Sequence, residues 1–503
     1  MDATFDITAW QPTRPPELGE EDLTPRLPDL INTLNTQTKD LHQHPYDPEL
    51  WLHRATTLAS LRFPELAVGD TYKALLLCRT INTRLREGRW QLGYRMGFWM
   101  LDESEHGTGE TDELEQRIAN LQSESHQVEV ENLSSFPAEE EGLYLQRPYP
   151  WMRPEHRKRD DELLDLLNKE LLEQTTKESH IKPICTIQRH AFGKRGLDGA
   201  DSSELLGVFA TRDLPKNTSM LTDESRCWGC IGPGLGGNTL NLNGGTGCGD
   251  PLHPNMQSDD GAHDLRWVRE RAGTDAAEII TLCRFLLCCR VDGTEHPLDH
   301  HLIARLTPTY RKEKRKLFSR EHDIVIPNDW LQQLGIDIFA NANYDTWVLF
   351  EMKAREENNS WSDPLHCCVS PLFSLFNHCC DMNVQWNIDE DHTSLTIHAH
   401  RDIKAGEQLF VCYDQYMETQ PVQARRKRMR KWLDEDCPCS RCVREAEEEA
   451  MRPKINGGSD GEATPHWDTA EKPVLPEDRS LIYIGKVVVV SVSWFLEYRD
   501  AVG

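Results

Sequence analysis

A chain of 503 residues has room for about two to four domains of ordinary size. With 38% hydrophobic and 28% charged residues, large solvated segments must accompany any core. The formal charge of −27 argues against a DNA or RNA partner, whose phosphates would repel it, and suits a Lys/Arg-rich polypeptide. The opening MDATFDITAWQPTRPPELGEED has neither a basic start nor an apolar stretch, so no secretory signal is read there. No run of about 18 apolar residues predicts a membrane span. Sixteen cysteines without such a signal imply a reducing compartment, the nucleus or cytoplasm.

Residues 1–40 cluster prolines and acids and predict a loosely ordered lead-in. From Asp47 the pattern is helical, with Asp47 as N-cap and Pro48 at the first helical position. PELAVGDTYKALLLCRTINTRLRE continues as a second helix. Ala55, Ala67 and Ala74 fall on the small-residue positions of a tetratricopeptide repeat of about 34 residues, whereas Arg54 and Arg79 do not fit it. A plain helical hairpin is the competing reading. Glu110 to Leu133 is a candidate neighbouring helix, and residues 134–160 read as a boundary before the helix DDELLDLLNKELLEQ.

Strand patterns follow from Lys182 to Asp223, with a turn around Pro215, Lys216 and Asn217. The glycine-rich residues 227–254 lack the strand-then-helix setting of a nucleotide loop. Cys227, Cys230 and Cys248 have ligand-like spacing, with His253, Cys283, Cys288 or Cys289 as a fourth ligand. An irregular surface insertion is the preferred account of them. Helical periodicity runs from Asp264 to Glu356. There Cys283, Cys288 and Cys289 read as core thiols, and His300-His301 as a helix start.

The chemistry concentrates between Ser374 and Tyr413. SPLFSLFNHCCDMNVQW ends in polar side chains able to bond neighbouring backbone. SLTIHAHRDIKAGEQLFVCY predicts two strands around Ala405-Gly406, a compact hairpin closed by a tyrosine. Downstream, CPCSRC places Cys437, Cys439 and Cys442 in a cluster that reads as metal-binding, with Cys379 or Cys380 as the missing ligand. A redox pair is the competitor.

Four motifs in order resemble the split-SET protein lysine methyltransferases, of the SMYD type and of fungal relatives with helical N-terminal regions. They are Gly207 to Asp213, then Asn377 to Asn383 (N-H-S-C-x-P-N in the family), then Gly406 to Tyr413 (G-E-E-L-x-x-x-Y), then the post-SET cysteines. The resemblance covers roughly residues 183–225 and 340–445. It implies S-adenosylmethionine bound by Gly207, Val208, Phe209, Asn377, His378 and Tyr413, with Tyr413 also the catalytic tyrosine at the methyl-transfer channel. It further implies one structural zinc on Cys380, Cys437, Cys439 and Cys442. Cys379 and Met382 depart from the family's serine and proline, Leu205 stands where a second glycine is common, and no MYND-type cluster is present.

The expected fold class is α+β: a helical N-terminal arm, then a SET-type β-clip of small sheets with a helical insertion, then the zinc segment. Its divisions are the lead-in 1–40, the arm 41–135, a linker and helix 136–181, the SET domain 182–436 with insertion 226–340, the zinc segment 437–445 and a largely disordered tail 446–503. The expected partners are a lysine-bearing protein, a histone among the candidates, and proteins bound through the arm, with no nucleic acid and no membrane. A SET fold acting only as an interaction platform is the alternative. RRKRMRK, residues 425–431, reads as a basic helix face rather than a nuclear signal.

Overall fold

The structure is a computed structural model and describes residues 26–86, 141–157, 159–178, 184–189, 205–224, 227–230, 265–308, 310, 315–362, 366–389, 394–433, 436–451 and 483–484. It divides into two compact units, Met1–Leu163 with Cys227–Asn358, and Leu164–Arg226 with Asn359–Gly503. In chain order the elements are α1 (Leu27–Gln43), α2 (Pro48–Ser60), α3 (Pro64–Arg86), β1 (Glu141–Leu145), α4 (Asp161–Glu178), β2 (Cys185–Arg189), β3 (Leu206–Ala210), β4 (Ser219–Glu224) and β5 (Cys227–Cys230). Next come α5 (Arg266–Ala272), α6 (Ala276–Val291), α7 (His301–Ala304), β6 (Arg315–Ser319), α8 (Ile326–Gln333), α9 (Thr346–Asn359), β7 (Trp361–Ser362), β8 (His366–Val369) and β9 (Asn377–His378). The chain then forms β10 (Val384–Ile388), β11 (Ser394–Ala399), β12 (Phe410–Val411), α10 (Val422–Leu433), α11 (Ser440–Met451) and β13 (Tyr483–Ile484).

The first unit is helical. Asp47 caps α2 by accepting from the Glu49 N–H at 2.9 Å, as its position before Pro48 predicts. Helix α1 corrects the expectation of a loose lead-in from Leu27 onward, and residues 1–25 lie outside the described residues. Leu27, Ile31, Leu34 and Leu41 recur at helical spacing and bury one face, and a proline sits in the first turn. Strand β1 likewise corrects the reading of residues 136–181 as linker and helix alone. It pairs antiparallel with β6, from Glu141↔Ser319 to Leu145↔Arg315, and buries Tyr144. The helix expected at Glu110–Leu133 lies outside the described residues.

Arg54, the misfit of the repeat pattern, has a structural role. Its guanidinium grips Asp70 with two 2.7 Å hydrogen bonds and reaches Asp345 at 3.1 Å, while Lys73 reaches Asp345 at 3.0 Å. Asp345 in turn accepts from the Thr346 N–H that opens α9. Close by, a Cβ on Gly69 would stand 2.4 Å from the Thr346 hydroxyl, so only glycine lets α3 approach α9 this closely. Helices α2, α3 and α9 therefore share one core. Cys283, Cys288 and Cys289 are buried on α6, as expected of core thiols. His300 accepts from the Leu302 N–H and starts α7.

The second unit is built of small sheets. Strand β11 lies between β10 and β4, β2 pairs with β3, and β7 lies between β8 and β13. Asn168 on α4 fixes β2 by donating to the Ile187 carbonyl at 3.0 Å and accepting from the Ile187 N–H at 2.9 Å. Asn217 turns the chain into β4 at φ +65°, the left-handed backbone expected of it. The predicted hairpin about Ala405-Gly406 is not one. Gly406 does turn at φ +83°, but β12 pairs in parallel with β9 rather than with β11. The tail begins later than residue 446, since α11 runs to Met451. Tyr483 and Ile484 add a short strand opposite Ser362 and Trp361.

Replacing Arg54 by alanine leaves Asp70 and Asp345 in the interior without their shared cation. Chemical denaturation of this variant is expected to show a loss of about 3–5 kcal/mol.

Candidate active site and four-cysteine cluster

Asn383 organises the crossing of the chain. Its side-chain amide donates to the Gln408 carbonyl at 2.9 Å and accepts from the Phe410 N–H at 2.7 Å. Its main chain bonds Phe410 and His400. With that bridge in place, Asn377 pairs with Phe410 and His378 with Val411, and the Cys379 N–H continues to the Val411 carbonyl at 3.0 Å. The Asn-His pair thus lies directly beside the chain that leads to Tyr413.

Strand β3 passes under the same crossing. The Asn377 amide donates to the Leu206 carbonyl at 2.9 Å, and a Cβ on Gly207 would stand 2.5 Å from Gln408 Nε2 and 3.1 Å from Asn377 Nδ2. What requires the glycine here is the approach of these two amides. Val208 accepts from Leu409 at 2.7 Å and Ala210 donates to Glu407 at 2.9 Å, while the opposite edge of β3 pairs with β2. Gly207, Val208 and Phe209 therefore form an interior strand, which can offer a ligand a face but no free edge. Gln408 is buried and its Nε2 has no hydrogen-bond partner among the described residues, so a polar group remains to be satisfied beside Gly207.

Tyr413 is clasped to the 376–378 segment at both ends. Its hydroxyl donates to the Phe376 carbonyl at 3.2 Å, and its N–H donates to His378 Nδ1 at 3.2 Å. Its ring stands 5.2 Å from the His378 ring and 6.1 Å from that of Trp432. Burial pushes the phenol pKa well up, so at neutral pH Tyr413 is a hydrogen-bonding hydroxyl and not a base. Burial also lowers the His378 imidazole to about 4, leaving it neutral.

The cysteines of CPCSRC form a four-sulfur group with Cys380, while Cys379 approaches Cys439 from outside that group. The sulfurs of Cys380, Cys437, Cys439 and Cys442 all lie within 4.8 Å of one another, with Cys380 3.5 Å from Cys442 and 3.9 Å from Cys437. A tetrahedron of zinc–sulfur bonds near 2.3 Å has edges of about 3.8 Å, so the four buried thiols fit one zinc ion. Donors surround them. Arg425 reaches Cys442 Sγ at 3.5 Å, and Arg441 holds the Cys380 carbonyl at 3.0 Å and the Glu418 carbonyl at 2.9 Å. Cys379 is also buried, and its sulfur accepts from the Asp381 N–H at 3.3 Å. Of the second candidate set, Cys227 is buried, and Cys248 lies outside the described residues. The basic run on α10 is largely engaged within the protein, with Arg425 paired to Glu445 at 2.7 Å and Arg428 to Asp414 at 2.8 Å.

The family model described as the SET domain matches residues 251–414. Over that stretch, about a third of its length, the chain is similar to SET domains. Among curated relatives, histone-lysine N-methyltransferase SMYD3 of Mus musculus and of Homo sapiens are each 39% identical over 72 residues, 14% of this chain and 16% of theirs. Protein-lysine N-methyltransferase SMYD4 of Homo sapiens is 30% identical over 86 residues, 17% of this chain and 10% of its own. The chain thus spans about a sixth or less of the length of these relatives. A solved structure of Rubisco LSMT bound to AdoMet aligns at TM-score 0.27 and 16% identity over 50% of this chain and 53% of that one. The match to the SET domain contains the crossing and Tyr413. Strand β3 and Cys437, Cys439 and Cys442 lie outside it and meet the crossing through the folded chain.

Sequence reasoning missed Asn383 as the organiser, Gln408, Arg441 and Asp223. Asp223 is buried and accepts from the Leu372 and Phe373 N–H groups at 2.8 and 2.6 Å. A buried acid at the end of the apolar β4 was its only local signal. Asn383→Ala strands the Gln408 carbonyl and the Phe410 N–H. It is expected to cost about 2–4 kcal/mol in a denaturant titration, while Asn387→Ala, on the neighbouring β10, changes stability by less than about 1 kcal/mol.

Proposed function

We propose that this chain is an S-adenosylmethionine-dependent protein lysine N-methyltransferase. The observation that carries this reading is the meeting of β3, Asn377-His378 and Tyr413 at one crossing inside a SET domain. The cofactor supplies an electrophilic methyl group. Gly207, Val208, Phe209, Asn377 and His378 bind it, with His378 contributing main chain because both its ring nitrogens are already engaged. Cys380, Cys437, Cys439 and Cys442 hold a structural zinc that ties the post-SET helix α11 to the crossing.

The protein's task is alignment. In-line displacement needs nitrogen, methyl carbon and sulfur held on one axis, and positioning alone removes much of the barrier. The attacking lysine must be neutral, although its ordinary pKa is about 10.4, and desolvation beside a sulfonium lowers it. Tyr413, protonated at working pH, orients the amine through its hydroxyl. The rate is therefore expected to rise with pH as the bound lysine loses its proton.

The substrate is a lysine-bearing protein, and the chain's acidity of −27 suits a basic target such as a histone tail. The helical arm is the expected docking surface for protein partners. The free thiols fit a reducing compartment, nucleus or cytoplasm. Among the described residues no helix is long and apolar enough to cross a membrane. Cys379 and Met382 motivate the rival reading of an inactive platform, yet both are buried beside an intact Asn383 bridge.

Labelled methyl transfer from S-adenosylmethionine into cell-extract proteins tests the reading. Tyr413→Phe should lower incorporation about a hundredfold. Equal labelling by both would remove Tyr413 from the chemistry, and calorimetry showing no cofactor binding by the wild type would favour the platform. Elemental analysis should find about one zinc per chain, lost in Cys439→Ala.

A further inference from the structure

We propose that His378 is a positioning residue linking the four-cysteine cluster to the Tyr413 backbone, donating from Nε2–H to Cys380 Sγ and accepting at Nδ1 from the Tyr413 N–H. This rests on the zinc and Tyr413 assignments above. The proton's place on the ring follows from its partners. A main-chain N–H can only donate, and the Tyr413 N–H lies 3.2 Å from Nδ1, so Nδ1 carries the lone pair. A neutral imidazole then has its proton on Nε2. That nitrogen lies 3.2 Å from Cys380 Sγ, within reach of a charge-assisted bond to a thiolate. It is a donor and not a fifth ligand.

The placement is rigid. His378 is 3% exposed, and its main chain is fixed by the β9–β12 pairing. Two residues on stands Cys380, whose sulfur lies 3.5 Å from Cys442 and whose carbonyl is held by Arg441. Two residues before stands Phe376, whose carbonyl receives the Tyr413 hydroxyl. One imidazole therefore spans from a cluster sulfur to the backbone of the tyrosine at the transfer channel. Tyr413 is held at its N–H by a ring whose other nitrogen depends on the state of Cys380. The zinc assignment thereby gains a second consequence: besides folding α11 onto the crossing, an ordered thiolate fixes the imidazole that orients Tyr413.

The full chain, loaded with zinc or with cobalt in its place, provides the test by chelator competition and by the cobalt–thiolate charge-transfer band. His378→Asn keeps an acceptor near the Tyr413 N–H but falls short of Cys380. It should weaken zinc retention about ten- to hundredfold and shift the band. His378→Gln extends an amide N–H toward Cys380 and should recover most of both. Wild-type retention and an unmoved band in His378→Asn would overturn the proposal. So would equal losses in both variants with the band unmoved, which would mark general loosening rather than a lost bond to sulfur. Amide exchange supplies the second arm. Chelating zinc from the wild type should accelerate exchange at Tyr413, and zinc-loaded His378→Phe should exchange there just as fast. A Tyr413 amide indifferent to chelation would refute the link. Neither measurement uses methyl transfer, so an inactive wild type would defeat the proposed reaction while leaving His378 to be decided separately.

Discussion

The second unit depends on one short parallel pairing, Asn377-His378 against Phe410-Val411. Parallel strands cannot be joined by a tight turn, so the chain between them must travel away and return. It does so through β10 and β11, and the return is fixed by Asn383, whose side chain replaces ladder hydrogen bonds that two-residue strands cannot supply. The register of this pairing sets everything that follows along each strand. Cys380 lies two residues beyond β9 and Tyr413 two beyond β12, so their separation is fixed by main-chain hydrogen bonds and not by flexible side chains. A slip of one residue would turn His378 away from Tyr413 and Cys380 away from its partners.

Electrostatics around the cysteines reinforce that register. Four buried thiols at this spacing repel once ionised, and a divalent cation with nearby donors offsets the cost. Arg425 and Arg441 approach from α10 and α11, and each is itself anchored by Glu445. Arg425 faces a cluster sulfur, while Arg441 holds the main chain of Cys380 and Glu418. Ion pairs engage Arg425 and Arg428 of the basic stretch 425–431 within the protein.

What the sequence made legible was local. The Asp47 cap, the Asn217 turn, the core thiols of α6 and the four motifs are each decided by residues a few positions apart. Pairing was harder. The strand after Gly406 carried a hairpin's signature, since Gly406 does turn the chain, yet Asn383 captures Phe410 first and directs it to β9. Only the family resemblance separates Cys380 from Cys379 as the expected ligand, because adjacent cysteines look alike in sequence, and the folded chain groups the Cys380 sulfur with the other three. Arg54 and Asp223 were opaque for the same reason. A buried charge is defined by its partner, and Asp345 and Leu372 are far away in sequence.

The helical arm and α9 are joined by a buried charge cluster. Helix α9 is capped by Asp345, and that carboxylate is shared by Arg54 of α2 and Lys73 of α3. Gly69 admits Thr346 at a distance no other residue permits. Without the arm, α9 would expose this carboxylate and the apolar faces beside it, and the arm without α9 would leave Arg54 and Lys73 without one of their anions. Two stretches far apart in sequence thus complete one core. The helical arm is accordingly a structural half of that unit, and any partner it binds must use the faces that α9 does not occupy.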